Sequence, residues 1–437
     1  MRSSLWRFLS ALAALAALGL APAAAQAQDS DEGRTLRIGF VAFLSGPAAG
    51  SFGIPNFEGF EFMVDAINAG AVPPPYDTPG IAGAQIEYFV VDESGGPTKQ
   101  VTECRNMVER RTVDLVMGYI SSGDCLASPP VAEELRQLTV LVDCGTPRVF
   151  EEADYRYVFR TGPHAAMDNI AAVRYLHDID SEVATIAGIN QNYAWGLDAW
   201  ADFTSAMAVL YPGVETVTEQ FPKLFAGQYS TEISALTVRA PEAIHTSLWG
   251  SDLEAFVLQG AQRGLFMNRH IVMVAADHVL PVLGRNVPDG VIVGARGPHG
   301  DFAPDTELAN WFREGFKERY GKLTTQPPHK SAMAILGVKT AFEKAAAAVG
   351  RFPTNEEVID AFQYLQWDTP SGPVELALGK GHQAIQASAI GVTRWNDDEQ
   401  RVELVDIKRY AARCVNPPEG VLSVEWIRDG MPGAQCD

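Results

Sequence analysis

Short apolar runs, partly β-branched, alternate along this chain with stretches of helical spacing. Runs at 36–44, 85–91, 115–117, 140–142 and 157–160 read as buried parallel strands. Between them, Phe57, Phe60, Val64 and Ile67 fall on one helical face, and residues 97–111 predict a second helix. Pro129 and Pro130 suit the first turn of a helix between the third and fourth runs. After a break at Gly162-Pro163 the pattern starts again with a helix over 164–177. Strands are predicted at 184–189, 214–221, 243–248, 271–274 and 290–294, with helices at 197–210, 229–239 and 253–264. Helices over 307–320, 331–349 and 355–363 follow, and residues 372–396 look β-rich. Such alternation, with crossover helices between strands, predicts an α/β fold of two doubly wound parallel-sheet lobes.

In open α/β sheets, ligands bind outside the carboxyl ends of the strands. Here those ends carry a common composition. Tyr119-Ile120-Ser121-Ser122-Gly123 follows the third run, and Cys144-Gly145-Thr146 follows the fourth. Asn190 to Gly196 contains Tyr193 and Trp195, Trp249-Gly250 follows another run, and Asp277 another still. Phe52 lies in the flexible stretch after the first strand. Free N–H groups at helix starts, with Ser and Thr hydroxyls beside them, can hold a small anionic or polar group, and an aromatic wall suits a small molecule. The same residues would serve equally as caps, turns and packing.

The chain has 437 residues, enough for two lobes, and is globular in composition, with 47% hydrophobic and 20% charged residues. Its net charge of −20 argues against nucleic acid or an anionic membrane as partner. Residues 1–27 read as a signal peptide: a basic start with Arg2 and Arg7, an apolar stretch over 8–20, then small residues ending at Ala27. An exported, periplasmic protein is expected. Five cysteines fit an oxidising compartment. Cys414 and Cys436, in a Pro/Gly-rich tail, are expected to pair. Of the other three, Cys104 with Cys125 is the preferred pair, leaving Cys144 as a free thiol.

Chemistry that would mark an enzyme is missing from the pattern. There is no G-x-S-x-G, no G-x-G-x-x-G, no P-loop and no H-E-x-x-H. The eight histidines are scattered, and no metal, cofactor or catalytic group is expected.

The ordered set Ser45-Gly46-Pro47, Gly118 to Ser122, Arg160-Thr161, Tyr193-Ala194-Trp195-Gly196, Pro370-Ser371-Gly372-Pro373 and Gly381-His382-Gln383 resembles the solute-binding proteins of ABC importers, in the branched-chain amino acid (Leu/Ile/Val-binding) family. The resemblance runs from about Thr35 to Trp395. It implies a type I periplasmic binding protein whose lobes, joined by a three-stranded hinge, close on a small organic ligand and deliver it to a membrane permease. The implied division is 34–163 plus 301–370 for one lobe, 164–300 plus 371–413 for the other, and a tail over 414–437. By position, Ser121-Ser122 and Cys144 to Thr146 would hold a carboxylate, with Ser122 and Thr146 in contact. Phe52, Tyr119, Tyr193, Trp249 and Gly250 would line the pocket, and Asp277 would meet an ammonium. Phe52 stands where amino-acid binders carry Tyr, and Trp195 and Trp249 add aromatic surface. Amides and aromatic acids therefore join amino acids as expected ligands. A monomer is expected, and a secreted sensor module reporting to a receptor is the alternative to a transport role.

Overall fold

The computed structural model describes residues 33–436; the expected signal peptide lies outside the described residues. Strands β1 (Thr35–Ala42), β2 (Gln85–Asp92), β3 (Leu115–Gly118), β4 (Thr139–Leu141) and β5 (Val158–Arg160) come first. Strands β6 (Thr185–Ile189), β7 (Glu215–Gln220), β8 (Ala243–Thr246), β9 (His270–Met273) and β10 (Ile292–Gly294) follow. The last are β11 (Gln366–Thr369), β12 (Gly372–Leu378), β13 (Gln383–Ile385), β14 (Ser388–Asn396) and β15 (Arg401–Tyr410). They build two sheets. One is 8-stranded in the order β11-β12-β13-β5-β4-β3-β1-β2, and the other is 7-stranded in the order β15-β14-β10-β9-β8-β6-β7. Within β1 to β5 and within β6 to β10 all pairings are parallel, each strand returning through a helix.

Gly39, Gly118 and the apolar residues of β1 and β3 are buried on both faces, which is why these runs show no polar alternation. Helix Ile54–Ala69 buries Phe60, Met63, Val64 and Ile67 and crosses helix Gln326–Val349 closely. A Cβ at Gly59 would lie 2.5 Å from the Pro328 Cα, so only glycine permits that approach.

The chain passes between the sheets three times: after β5, after β10, and between β13 and β14. The last crossing differs from the division expected at residue 371. Thr369 pairs with Gly372 across a two-residue turn, and the Thr369 hydroxyl donates to the Gly372 carbonyl at 2.6 Å. This hairpin folds β12 back onto β11, and β13 pairs with β5, so residues 372–385 belong to the first sheet. Only from β14 does the chain join the second.

The tail is built into both lobes. Cys414, Val415, Trp426, Ile427 and Met431 are buried in the main core. Helix Ser423–Arg428 packs on helix Ala194–Leu210 of the second lobe. On the first-lobe side, Arg413 pairs with Glu375 at 2.9 Å, Tyr364 donates to Glu419 at 2.9 Å, and the Ser423 amide donates to Glu151 at 2.9 Å. The Cys414–Cys436 disulfide closes this segment.

Candidate functional site

β3 ends at Gly118, whose φ of +137° brings it against β1; a Cβ there would lie 2.2 Å from the Val41 carbonyl oxygen. The turn continues through Tyr119, itself left-handed at φ 66°. The amides of Ile120 and Ser121 then point inward, and the buried Glu93 carboxylate accepts both, at 2.8 Å from each nitrogen. These helix-start donors, expected to be free for an anion, are taken by the protein's own acid. Burial, with the Asp124 carboxyl beside it, holds Glu93 well above the carboxylate range, and burial lifts Asp124 to about 6.

Ser122 joins the two strand-end turns. Its Oγ accepts the amides of Gly145 at 3.3 Å and Thr146 at 3.2 Å. Behind it, Cys125 and Cys144 form a disulfide, and Cys104 is the free, buried thiol. The expected Cys104–Cys125 pair is therefore corrected, and so is Cys144 as a free thiol. β3 and β4 are adjacent, so the turns leaving them face each other, whereas Cys104 lies in helix Pro97–Arg111 on the sheet face. Thiol titration of the unfolded, unreduced protein should find one reactive cysteine, and Cys104→Ser should abolish it; a second thiol would refute the pairing.

A narrow cleft lies between the strand ends of the two lobes. Of the residues expected there, it brings together Phe52, Ser122, Gly145, Tyr193 and Trp249. Trp195 also lines it, as do Ile120, Asp143, Ala275, Arg296 and Gln326. The Trp249 indole donates to the Tyr193 hydroxyl at 2.8 Å, and the Trp195 indole donates to the Ser247 carbonyl at 2.7 Å, so both rings are fixed at one edge. Phe52 meets Trp249 edge-on, with ring centroids 5.3 Å apart.

Several expected contacts lie elsewhere. Tyr119 is fully buried with Val41, Met107 and Leu141, behind the turn. Ser121 faces a neighbouring cavity. The Thr146 hydroxyl donates to Asp198 on helix Ala194–Leu210 at 2.5 Å, spanning the lobes. Cys144 is consumed by its disulfide, and its carbonyl accepts from Arg160. The Gly250 amide donates to His278 at 2.9 Å. Asp277 accepts the Gln326 amide at 2.7 Å, starting a helix instead of facing the cleft.

Burial pushes the Asp277 carboxyl up to about 8. A folded value above the ordinary one means the native state keeps a proton that the unfolded chain has lost. This group's stabilisation is full below roughly pH 4 and is lost as pH rises towards 8. Asp277→Asn should flatten that fall; urea midpoints at about pH 5 and about pH 8.5 that shift equally in both proteins would refute it.

Arg296 is the main residue that sequence reasoning missed, although it occupies the strand-end position after β10. Its φ of 52° is unusual for a side-chain-bearing residue. The guanidinium donates to Asp143 Oδ1 at 2.8 Å and to the Asp143 carbonyl, to Asp168 at 3.1 Å, and to the Pro163 carbonyl at 2.8 Å. It lies over Trp195, 4.7 Å from the ring centroid. Gln326 donates to both Asp143 oxygens at 3.1 Å, and Lys330 donates to the Arg296 carbonyl at 2.7 Å. Burial raises the carboxyls of Asp143 and Asp168, the latter to about 6, and lowers Lys330 to about 7. The network ties the first lobe through Asp143 to the second through Asp168, across two of the crossings.

A guanidinium has five N–H donors. The four bonds above leave one, on Nη2, without a protein acceptor. That nitrogen lies beside Gly145, 2.9 Å from where a Cβ would stand. The one acid lining the cleft, Asp143, is held by Arg296 and Gln326. The site thus offers aromatic walls, a hydroxyl and a guanidinium N–H, and no unpaired carboxylate among its lining residues.

Two parallel-rich lobes, three crossings and a recessed cleft at the strand ends define a two-lobed binding protein of the type I periplasmic-binding fold. A family model described as periplasmic binding protein matches residues 35–400, and the chain belongs to that family of binding proteins. A Leu/Ile/Val-binding protein homolog 4 from Brucella abortus (strain 2308) is 23% identical over 273 residues, which are 60% of this chain and 61% of that relative. Among solved structures, an ABC-transporter solute-binding protein from Rhodopseudomonas palustris BisB5, in complex with 3,4-dihydroxybenzoic acid, superposes with a TM-score of 0.74 at 18% identity, covering 86% of this chain and 98% of that one. A leucine-, isoleucine-, valine-, threonine- and alanine-binding protein from Brucella ovis, in its closed conformation, gives a TM-score of 0.73 at 18% identity, covering 89% and 98%. At such identities the likeness is one of fold.

Proposed function

We propose that this chain is an exported, periplasmic solute-binding protein, not an enzyme, that closes its lobes on a small aromatic carboxylic acid and delivers it to an ABC transporter permease. The observation that carries this reading is the spare Arg296 N–H beside Gly145 and Ser122, at the end of a slot walled by Phe52, Tyr193, Trp195 and Trp249. A guanidinium and a hydroxyl suit a carboxylate, and the aromatic walls suit a flat ring. An α-amino acid would in addition need a partner for its ammonium, and the cleft has no unpaired acid to supply one. The R. palustris protein in complex with 3,4-dihydroxybenzoic acid is a case of this fold holding a ligand of that class. The Brucella relative supports the amino-acid alternative.

Calorimetric titration with benzoate, 4-hydroxybenzoate, 3,4-dihydroxybenzoate, leucine and valine tests the reading. Aromatic acids should bind and the amino acids should not; the reverse order would establish the amino-acid alternative. Ser122→Ala should weaken the bound acid by about 1.5–3 kcal/mol, the worth of a hydrogen bond to a charged group. An unchanged affinity would remove Ser122 from the site.

A further inference from the structure

Outside the Tyr193–Trp249 pair lies a second, larger cavity of about 400 Å³. Phe43, Pro47, Pro97 and the Asp124 carboxyl line it from the first lobe, and Leu224 and Phe225 from the second, while Tyr193 faces both this space and the inner cleft. Ser121 opens on the outer cavity and its neighbour Ser122 on the inner one. The Tyr193 side chain is therefore a wall common to both spaces.

The second-lobe wall is held in place by specific contacts. Phe225 has a left-handed backbone, φ 59°, which a bulky side chain adopts only when its surroundings enforce it. The enforcement comes from Asp252, fully buried, whose carboxylate accepts the Phe225 amide at 2.7 Å, the Gly227 amide at 3.3 Å and the Gln191 side chain at 2.7 Å. Phe225 is thereby set 5.5 Å from Trp249 and 6.5 Å from Phe43, centroid to centroid, across the lobe boundary. On the first-lobe side, glycines keep the cavity open. A Cβ at Gly96 would meet nothing within 4 Å, and one at Gly123 would meet only Pro97 and Ser121, at 3.5 and 3.6 Å.

We propose that this outer cavity is a second subsite, which takes an apolar extension of the same ligand. The bound molecule is then an elongated aromatic acid, of the class of 4-alkyl- or 4-aryl-substituted benzoates, with its carboxylate at Arg296 and its tail past Tyr193 against Phe43, Leu224 and Phe225. The inference rests on the reading of the inner cleft as a carboxylate site.

The test is calorimetric titration of the intact mature protein with benzoate and its 4-methyl, 4-ethyl, 4-propyl and 4-butyl derivatives. Affinity should rise by about fourfold for each methylene buried. Gly123→Leu, which fills the outer cavity from outside the inner cleft, should erase that gain for 4-butylbenzoate and leave benzoate unchanged. Gly123→Ala, whose methyl fits at ordinary contact distances, should show a smaller loss in the same direction and guards against misfolding of the leucine variant. Benzoate binding with affinities flat or falling along the series would overturn the second subsite alone. So would a Gly123→Leu protein that weakens benzoate and 4-butylbenzoate equally. If no member binds, the inner-cleft reading fails and the subsite with it.

Discussion

Replacing Arg296 by Met should lower the unfolding free energy by about 3–5 kcal/mol, the usual cost of removing one partner from a buried ion pair. It should also abolish binding of any carboxylate ligand. Asp143 and Asp168 are both almost wholly inaccessible to solvent, and each has Arg296 as its ion-pair partner. Burial already raises both carboxyls in the presence of the guanidinium. Without it, burial would push both carboxyls higher still, and the variant would gain stability on acidification relative to the parent. Adding Asp143→Asn and Asp168→Asn should restore part of the lost stability, because the unpaired charges go, and should not restore binding, because the spare N–H goes too. Urea unfolding and calorimetry separate the two effects. An Arg296→Met protein as stable as the parent would show that the network does not hold the lobes.

Trp426→Ala should cost about 3–5 kcal/mol, as truncation of a fully buried tryptophan does. Trp426 lies in the tail, is 1% exposed, and donates its indole N–H to the Pro432 carbonyl at 2.9 Å. It anchors helix Ser423–Arg428 on the second lobe, while Arg413, Glu419 and Ser423 hold the same segment to the first. Loosening it releases a connection between lobes as well as a packed side chain. The expected signs are a lower denaturation midpoint, faster proteolysis after Tyr410 and a larger radius of gyration in solution. A change under about 1 kcal/mol with unchanged proteolysis would mean the tail is an appendage.

Much of this architecture was legible because parallel strands buried on both faces advertise themselves as short apolar runs. The strands expected at 85–91, 115–117 and 157–160 appear at Gln85–Asp92, Leu115–Gly118 and Val158–Arg160. The helix expected at 97–111 appears at Pro97–Arg111. β15 and the tail helices were not read: β15 is a charge-rich strand on a sheet edge whose alternation breaks off after Leu404, and the tail helices are too short for a period to show.

The chain's local pattern determined the two-lobed α/β fold, the placement of Phe52, Tyr193 and Trp249 at one strand-end cleft, and the Cys414–Cys436 pair within one short tail. Tertiary structure alone decided which of the strand-end polar groups remain available. Glu93, 27 positions before Ile120, captures the amides that looked free. Asp198 captures the Thr146 hydroxyl from the other lobe, 52 positions away. Asp277 starts a helix at Gln326, and Arg296 reaches Asp143 across 153 positions. Whether a polar group contacts a ligand depends on whether the protein has already satisfied it, and burial compels such partners without regard to their distance along the chain.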